Sequence, residues 1–299
     1  MNDKCVSFNL DNNKFRGRIV RLEHVTDEMF KLQKYPDNVG KAVAETAALG
    51  VVLADLMKFN GIWTLQIQGD GPISVLVADV TSEGKVRATA KYDEAKMKAA
   101  QELRKTEGEL EATPHWLGKG NLIFTVDQGK NTELYQGIVD LQGKTLAECA
   151  MRYFKNSEQI DTHLRLFVQK KGDGWQSAAI LLQKMPQNGG NEAQSDDNSE
   201  ELWHEDKILT DSLTEAEIFD TDLPLEDILY RLYHEHRVAV NKTSEYFFGC
   251  RCEREKLRAT LSSMSLQDIE SMLENGKVTA VCNFCGQTYV FDKSELIKN

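Results

Sequence analysis

Apolar and polar residues alternate in several short segments of the first 185 residues, and this period of two predicts β-strands. Segments 62–68, 73–79 and 85–91 alternate most clearly, and glycine-containing turns separate them, which predicts a three-stranded meander. The same alternation predicts a strand or hairpin within 6–35 that opens a sheet. Four further strands are predicted at 122–126, 135–141, 162–169 and 175–183.

One long segment of this region has helical periodicity instead. From Asp37 to Lys58 apolar residues recur every three or four positions, and one face is rich in Ala and Gly. Small side chains let another element approach closely, so we predict a buried core helix with Asp37 or Asn38 as its N-cap. A second helix is predicted from Thr145 through Lys155. Strands dominate with a few helices, which favours an α+β domain over residues 1–185.

The pattern changes after residue 185. Residues 187–199 are polar and nearly free of apolar side chains, which predicts a disordered or mobile connector. Three short amphipathic helices are predicted next, at 201–211, 214–219 and 225–236. In the second of them Thr214 and Glu217 have the spacing of a capping box. We therefore predict a helical linker over 186–241 and a C-terminal module over 242–299.

The formal net charge of −11 is concentrated in this linker. Between Pro186 and Leu229 there are 14 acidic residues and one basic residue, Lys207. Like charges at this density repel, so the helices must be held by packing of their apolar stripe, and we expect them to be marginally stable. Neutralising several acids between 215 and 222 is then expected to stabilise the packed linker. An ordinary acidic helical subdomain is the alternative interpretation of the same residues.

Four of the six cysteines form two close pairs near the C-terminus. One residue separates Cys250 from Cys252, two residues separate Cys282 from Cys285, and Gly286 follows directly. Two tight thiol turns supply the four soft ligands that Zn²⁺ binds tetrahedrally, so we predict that these four cysteines bind zinc. A complete four-thiolate shell has no open position, which argues against hydrolytic zinc chemistry.

The spacing of these thiols is compatible with two roles. The zinc site is a permanent structural element, or it is a redox switch in which each thiol pair forms its own disulfide after the metal leaves. A disulfide across one intervening residue closes a small strained ring, and strained disulfides are the labile, regulatory kind. The predicted fold class is thus α+β, with an N-terminal mixed-sheet domain, an acidic helical linker and a small four-cysteine zinc module.

The remaining two cysteines, Cys5 and Cys149, stand alone, which favours buried or incidental thiols. The N-terminal residues lack the features of a signal peptide, and no apolar run approaches membrane-spanning length. We therefore expect a cytoplasmic protein without a membrane partner. Reducing conditions in that compartment argue against a static disulfide framework and favour metal or redox roles for the thiols.

Other candidate motifs carry less weight. His234 and His236 lie two apart and would point to different faces of a helix, so we do not predict a metal pair. The histidines form no pattern typical of a catalytic Ser/His/Asp or Cys/His site, and we expect no enzymatic activity. Gly69 and Gly71 lack the third glycine of a dinucleotide-binding fingerprint and are interpreted as turn residues.

The charge of the C-terminal module bears on its partners. Residues 250–299 contain seven basic and seven acidic residues, whereas a zinc module that binds nucleic acid normally carries a basic face. We therefore expect no nucleic-acid partner, and a zinc-ribbon nucleic-acid-associated protein is kept as the alternative. A thiol oxidoreductase is a third hypothesis, but it needs an exposed thiol of low pKa, whereas zinc would occupy all four.

A set of short motifs spans nearly the whole chain. The C-terminal motifs are Phe248-x-Cys250-x-Cys252-x-Arg254-Glu255 and Cys282-x-Phe284-Cys285-Gly286-x-x-Tyr289-x-Phe291. Those upstream are, in order, Gly69-Asp70-Gly71-Pro72, Tyr135-Gln136-Gly137, Tyr153-Phe154, Ser157-Glu158-Gln159 and Arg231-Leu232-Tyr233-His234-Glu235. Together they closely resemble the heat-shock protein 33 family of redox-regulated bacterial chaperones. The chain departs from that family at Arg87-Ala88, where Arg-Gly is usual, and in an extension near 187–199.

The resemblance implies a molecular chaperone, a holdase, that responds to oxidative stress. Reduced Cys250, Cys252, Cys282 and Cys285 bind zinc in that family, and the chaperone is inactive. Peroxide or hypochlorous acid, with heat, forms the disulfides Cys250–Cys252 and Cys282–Cys285, releases zinc and unfolds the module and the linker. The implied partners are unfolding client proteins, a second copy of the chain in an active homodimer, and the ATP-dependent foldases that receive the clients.

Overall fold

The structure is a computed structural model that describes residues 3–31, 33–104, 112–129, 134–186 and 198–297. It contains mixed α and β elements, as predicted, and the predicted connector lies outside the described residues except for Asn198 and Ser199. Within the described residues no helix is both long and apolar enough to cross a membrane.

A five-stranded antiparallel sheet has the order β10-β1-β2-β9-β8. Its strands are β1 Lys4–Leu10, β2 Phe15–Leu22, β8 Thr162–Lys171, β9 Gly174–Lys184 and β10 Ala239–Glu245. The predicted opening hairpin is confirmed as β1 and β2, and helix α1, His24–Phe30, follows it within the same segment. Both faces of the sheet are buried, because Ala179 and Leu181 of β9 face one core while Ile180 and Leu182 face another.

A second, six-stranded sheet has the order β11-β5-β4-β3-β6-β7. Its strands are β3 Ile62–Gly69, β4 Ile73–Thr81, β5 Lys85–Tyr92, β6 Gly120–Asp127, β7 Tyr135–Asp140 and β11 Phe247–Phe248. The predicted meander is confirmed as β3, β4 and β5, and the predicted strands at 122–126 and 135–141 as β6 and β7. All pairs are antiparallel except β11 with β5, which makes the sheet mixed.

Helix α2, Asp37–Ala54, packs between the two sheets and forms the centre of the first core. Its small residues permit the close packing, since a Cβ at Gly40 would stand 2.8 Å from Nε1 of Trp175. The buried core helix is therefore confirmed. The predicted N-cap is wrong, because the N-cap is Pro36 without a side-chain bond, and Asp37 in the first turn binds Lys170 at 2.6 Å.

Three further helices, α3 Glu94–Arg104, α4 Thr113–Leu117 and α5 Leu146–Tyr153, belong to the same half of the chain. The predicted start of α5 is confirmed, since the Thr145 side chain accepts a hydrogen bond from the backbone of Glu148. The helix ends at Tyr153 and continues as a π-helical turn over Phe154–Glu158.

The acidic linker folds into α6 Ser199–Asp211, α7 Glu215–Ile218 and α8 Leu225–Tyr233. Its apolar stripe covers the outer face of the five-stranded sheet, where Trp203 stacks on Phe15 and Tyr233 stacks on Phe8. The predicted capping box of Thr214 and Glu217 is confirmed at α7.

Two arginines of the sheet bind carbonyl groups of the linker. Arg165 donates to the carbonyl oxygens of Thr210, Asp211 and Leu213 at 2.7–3.0 Å. Arg21, which is 4% exposed, donates to those of Ile218 and Leu223. Carbonyls at helix C-termini lack intrahelical partners and carry partial negative charge, so cationic side chains stabilise them.

The chain after α8 returns to both sheets before it enters the C-terminal module. A 3₁₀ turn over His234–His236 leads into β10, which pairs with β1, and then into β11 beside β5. The predicted boundary between linker and module, at residue 241, thus falls within a continuous strand. The domain limits themselves stay a prediction.

The C-terminal module contains α9 Arg254–Ser262, α10 Leu266–Ser271, β12 Lys277–Val281, β13 Thr288–Asp292 and α11 Lys293–Leu296. Its fully buried apolar residues are only Ile269, Val278, Phe291 and Leu296 among those described. Ser265 caps α10, because its side chain accepts a hydrogen bond from the backbone of Asp268. A core of this size is too small to fold such a module without a further constraint.

Replacing Trp203 by Ala is expected to release the linker while the N-terminal sheets stay folded. Trp203 is 7% exposed and stacks on Phe15 at a centroid distance of 5.6 Å, and truncating such a side chain costs about 3–5 kcal/mol. The rate of tryptic cleavage at Lys207 should rise strongly. Ile208→Ala on the same helix is the control, since Ile208 is 56% exposed. Equal cleavage rates in the two variants would contradict this role of Trp203.

Candidate metal centre

Two turns bring the four predicted ligands together. Cys250 and Cys252 follow β11, and Cys282 and Cys285 follow β12. The second turn is closed by backbone hydrogen bonds from Cys282 to Gln287 and from Gly286 to Cys282. Gly286 has φ +71°, a left-handed conformation that favours glycine, which explains its place after the thiol pair.

The four Sγ atoms lie within 4.8 Å of one another. Cys250 Sγ is 3.6 Å from Cys282 Sγ, and Cys252 Sγ is 3.4 Å from Cys285 Sγ. A tetrahedral zinc ion with Zn–S bonds of about 2.3 Å separates its sulfur ligands by about 3.8 Å. The donor set and the spacing therefore fit one metal ion bound by four thiolates.

The thiols differ in their pKa. Burial raises the pKa of Cys250, but hydrogen bonds from the Cys252 backbone and from the other three thiols lower this pKa to about 7. Burial raises the pKa of Cys252 and, together with the neighbouring thiols, that of Cys285. One thiolate is thus stabilised by its neighbours, and a cation is needed to stabilise four.

The sequence of the chain matches a known family over most of its length. The family model described as Hsp33 protein matches residues 3–292. The chain belongs to the Hsp33 family. A protein named 33 kDa chaperonin from Caulobacter vibrioides is 30% identical over 297 residues, which cover 98% of this chain and 95% of the relative. One from Ectopseudomonas mendocina is 32% identical over 298 residues, 99% and 94% of the two chains.

A solved structure has the same fold. The crystal structure of the 33 kDa chaperonin from Thermotoga maritima aligns with a TM-score of 0.78 and covers 99% of this chain and 97% of its own. The two sequences are 23% identical in that alignment, so this likeness concerns the fold alone.

In this Hsp33-family chain the thiol module docks on the six-stranded sheet through one buried carboxylate. Asp79 of β4 lies 2.6 Å from Arg87 of β5 and 2.6 Å from Arg251, the residue between the first two cysteines. The Asp79 side chain is 6% exposed, so its ion pair with Arg87 is largely shielded from water, whereas Arg251 is partly exposed. Breaking a shielded pair leaves a buried charge without a partner, which makes this contact strong.

The second thiol turn docks beside the first. The Arg87 guanidinium stacks on the ring of Phe284 at 3.8 Å, and its Nη1 lies 3.9 Å from Cys250 Sγ. Gln33 donates to the carbonyl of Cys282 at 3.1 Å, and Thr89 donates to that of Asn283. Both thiol turns are therefore held against β4 and β5.

The sequence motifs are explained in part by these contacts. Arg254 covers the ring of Phe291 at 4.5 Å and binds Glu295 at 2.7 Å, which ties α9 to β13 and α11. Ala88 replaces the usual glycine without distorting β5, since it is buried opposite Ala78 of β4.

The docking role of Asp79 and Arg87 was not found from the sequence. The signal was present in part, because the short turn between β4 and β5 places these two residues opposite each other in the hairpin. Their contacts with Arg251 and Phe284 join segments more than 160 residues apart in sequence, which no local pattern reveals.

Cys5 and Cys149 are buried at 0% and 1% exposure, as predicted, and are far from a reactive state. Burial raises the pKa of Cys149 to about 11 and raises that of Cys5 well above its ordinary value. A thiol in this environment stays protonated at neutral pH and is a poor nucleophile.

Replacing Arg87 by Ala is expected to loosen the docked module. The substitution removes the ion pair with Asp79 and the stacking on Phe284, at a cost on the order of 3 kcal/mol. Hydrogen exchange of the amides at 282–286 should accelerate by about two orders of magnitude. Lys91→Ala is the control, because Lys91 is exposed on the same strand. Unchanged exchange in Arg87→Ala would show that the module is held elsewhere.

Proposed function

We propose that this protein is a redox-regulated holdase chaperone of the Hsp33 type, inactive when its four thiols bind zinc and active after their oxidation. The observation that supports this most directly is the clustering of four thiols within 4.8 Å in a module whose own core is four residues. The relatives are named chaperonins, which agrees with binding of unfolding proteins.

The proposed inactive state depends on the metal for folding. When bound, zinc supplies about 10–16 kcal/mol of folding free energy to a small module of this kind. Cys250, Cys252, Cys282 and Cys285 would hold the ion, and Arg87, Arg251 and Asp79 would fix the folded module to the sheet. A reducing compartment, the cytoplasm, is required to keep the four thiols available as ligands.

The proposed activation is an oxidation of these thiols. A thiolate attacks one oxygen of hydrogen peroxide, which gives a sulfenic acid and hydroxide, and a second thiol displaces water from the sulfenic acid to form a disulfide. Two peroxide molecules oxidise four thiols to two disulfides in this way. Cys250, Cys252 and Cys285 are half-buried rather than enclosed, so a small oxidant can reach them.

The pairing of the disulfides follows the family resemblance. We propose Cys250–Cys252 and Cys282–Cys285, and the distances between the Sγ atoms are short enough for these pairs and for pairs across the two turns. Disulfide sulfurs are poor zinc ligands, so the ion leaves, and the module loses the constraint that its small core requires.

Release of the module would then reach the linker through the chain. α8 continues without interruption through β10 and β11 into Cys250, and Arg251 anchors the end of this segment at Asp79. When that anchor is lost, repulsion among the linker acids favours its detachment from the sheet. The uncovered face is apolar, with the residues Val6, Phe8, Leu10, Phe15, Ile19, Ile180 and Leu182.

An apolar face of this kind would bind unfolding client proteins and keep them from aggregating. We further propose that two oxidised copies associate as a homodimer, and that clients pass to ATP-dependent foldases after the disulfides are reduced. The face that binds clients is the same one that the linker covers in the reduced protein.

Zinc release and client protection are expected to occur together. Treating the reduced protein with peroxide at elevated temperature should release the zinc ion bound by the four thiols, measured with a colorimetric chelator, and should suppress aggregation of a heat-unfolding client. A thiol reductant and zinc should reverse both changes.

Matched variants separate this function from a structural zinc site. Cys149→Ser should respond like the unmodified protein, whereas Cys282→Ser should bind zinc weakly and protect clients without oxidant. Peptide mapping of the oxidised protein identifies the disulfide pairs. Zinc that stays bound, or leaves without client protection, would assign the four cysteines a structural role only.

The linker acids are not equivalent, which refines the expected effect of neutralising them. Glu217 accepts hydrogen bonds from the Thr214 backbone and hydroxyl at 3.0 and 2.7 Å and pairs with Arg231 at 2.7 Å. Burial raises its pKa, but these partners lower it overall, so Glu217 stabilises the linker above its pKa and loses that effect as pH falls.

Neutralising exposed acids and neutralising Glu217 should therefore have opposite effects. Glu215→Gln with Asp222→Asn is expected to slow proteolysis of the reduced linker, because repulsion falls and both residues are exposed. Glu217→Gln should speed it severalfold through loss of the cap, at about 1 kcal/mol. Equal rates in all three proteins would argue against charge repulsion as the source of linker instability.

A further inference from the structure

A second cluster of potential ligands joins the linker to the first hairpin. It contains Asp11 of the β1–β2 turn, Asp206 of α6 and His236 of the 3₁₀ turn after α8. One ligand atom from each residue lies within 4.8 Å of the others. His236 Nδ1 is 2.8 Å from Asp206 Oδ1 and 3.6 Å from Asp11 Oδ2.

The polar atoms of this cluster are buried without hydrogen bonds. Asp206 is 0% exposed, and His236 is 9% exposed. Four polar atoms make no hydrogen bond with any described residue: both carboxylate oxygens of Asp206, Oδ2 of Asp11 and Nδ1 of His236. His236 Nδ1 and Asp206 Oδ1 are close to each other, but they are not aligned for a hydrogen bond. Burying a carboxylate in this way is costly unless a cation or a proton compensates it.

The backbone around the cluster holds the three side chains in place. The Asp11 amide donates to the His236 carbonyl at 2.9 Å, and the Thr210 hydroxyl donates to the Asp206 carbonyl at 2.7 Å. The first bond fixes the turn relative to the 3₁₀ segment, the second lies within α6, and the Thr210 hydroxyl is also 2.7 Å from that of Tyr233, which joins α6 to α8. The side chains therefore converge on one point from three separate elements.

We propose that Asp11, Asp206 and His236 bind one divalent transition-metal ion of the zinc class, and that this ion clamps the linker to the β1–β2 turn. Two carboxylate oxygens and one imidazole nitrogen are ligands typical of zinc, whereas magnesium and calcium prefer oxygen alone. A doubly charged ion also balances the two carboxylates.

The outer side of this site is acidic as well. Glu205 Oε2 lies 3.7 Å from His236 Nε2, and Glu205 is half exposed. At this distance the carboxylate makes no hydrogen bond, but it adds negative charge beside the imidazole, which favours a cation in the cluster. The ion's remaining position would be filled by water, since three protein ligands leave tetrahedral zinc one open position.

This clamp would respond to the free metal concentration, whereas the cysteine site responds to oxidants. Its oxygen and nitrogen ligands do not react with peroxide at the rate of a thiolate, so oxidation of the cysteines leaves them intact. Binding of the ion to the packed linker alone stabilises that state in proportion to the free metal concentration. The linker would thus be held by metal availability in addition to the thiols.

A proton is the competing way to neutralise the buried carboxylate. Burial raises the pKa of Asp206 to about 7, and Asp11 and Glu205 add to the rise while His236 opposes it. Lys14 and Arg237 are the other charged groups near Asp11. If protonation alone serves the cluster, linker stability follows pH and is indifferent to added zinc.

Metal stoichiometry tests the proposal on the reduced full-length chain. We expect two zinc ions per chain, measured by elemental analysis after equilibrium dialysis against micromolar free Zn²⁺. Asp206→Asn and His236→Gln should each lower this to one. Glu201→Gln and His234→Gln are the matched controls and should keep two, because both residues are exposed.

A second measurement reports on the clamp itself. With the cysteine site already loaded, free Zn²⁺ at ten times its dissociation constant should slow tryptic cleavage at Lys207 and Arg231 about tenfold. The effect should be absent in Asp206→Asn and His236→Gln. Cobalt added to the second site should show no thiolate charge-transfer band, which distinguishes it from the four-cysteine site.

Three outcomes would overturn the proposal. One is a single zinc ion in the unmodified chain. Another is a second ion that persists in both Asp206→Asn and His236→Gln. The third is a linker whose cleavage responds to pH but not to Zn²⁺, which would assign the cluster to proton binding.

Discussion

The structure depends on one sheet that is covered on both faces. Successive residues of β9 point into different cores, one built around α2 and the other built with the linker helices. A strand with two apolar faces cannot leave either of them in water without a large loss of hydrophobic stabilisation. The linker is therefore needed to complete the fold, although its own charge opposes packing. The packing of the linker that stabilises the reduced protein therefore also conceals an apolar surface.

In the proposed function the C-terminal module controls this cover, because its small core needs a further constraint to fold. Its core is four residues, and the main contacts that hold it on the sheet converge on Asp79. Arg251 lies between two of the thiols and also binds Asp79, so the chemistry of the thiols and the docking of the module share one loop. A change of ligand chemistry at the sulfur atoms is thereby connected to the strand that leads back to the linker. The cluster of Asp11, Asp206 and His236 adds a second attachment, which joins the first helix and the last turn of the linker to the β1–β2 turn.

Local patterns predicted the elements well where one residue type decides the outcome. Alternation placed the meander and the strands at 162–169 and 175–183, and the thiol spacing named all four members of the cluster. The prediction of Asp37 or Asn38 as the N-cap of α2 was wrong, because Pro36 can begin a helix without a side-chain bond. Asp37 is then available to bind Lys170. Strand β10 was not predicted, since an exposed edge strand has no clear apolar alternation.

What the sequence determined by itself is the chemistry of the chain. Four thiols at these spacings, the density of acids in the linker and the apolar stripe of its helices are properties of neighbouring residues, and they are legible without a fold. Only the tertiary structure decided which surfaces those features meet. The linker covers β1, β2 and β9. The thiol turns dock on Arg87 and Asp79. His236, and not His234, lies beside two aspartates. These contacts connect segments tens to hundreds of residues apart, and their formation depends on the packing of the whole sheet rather than on any local period.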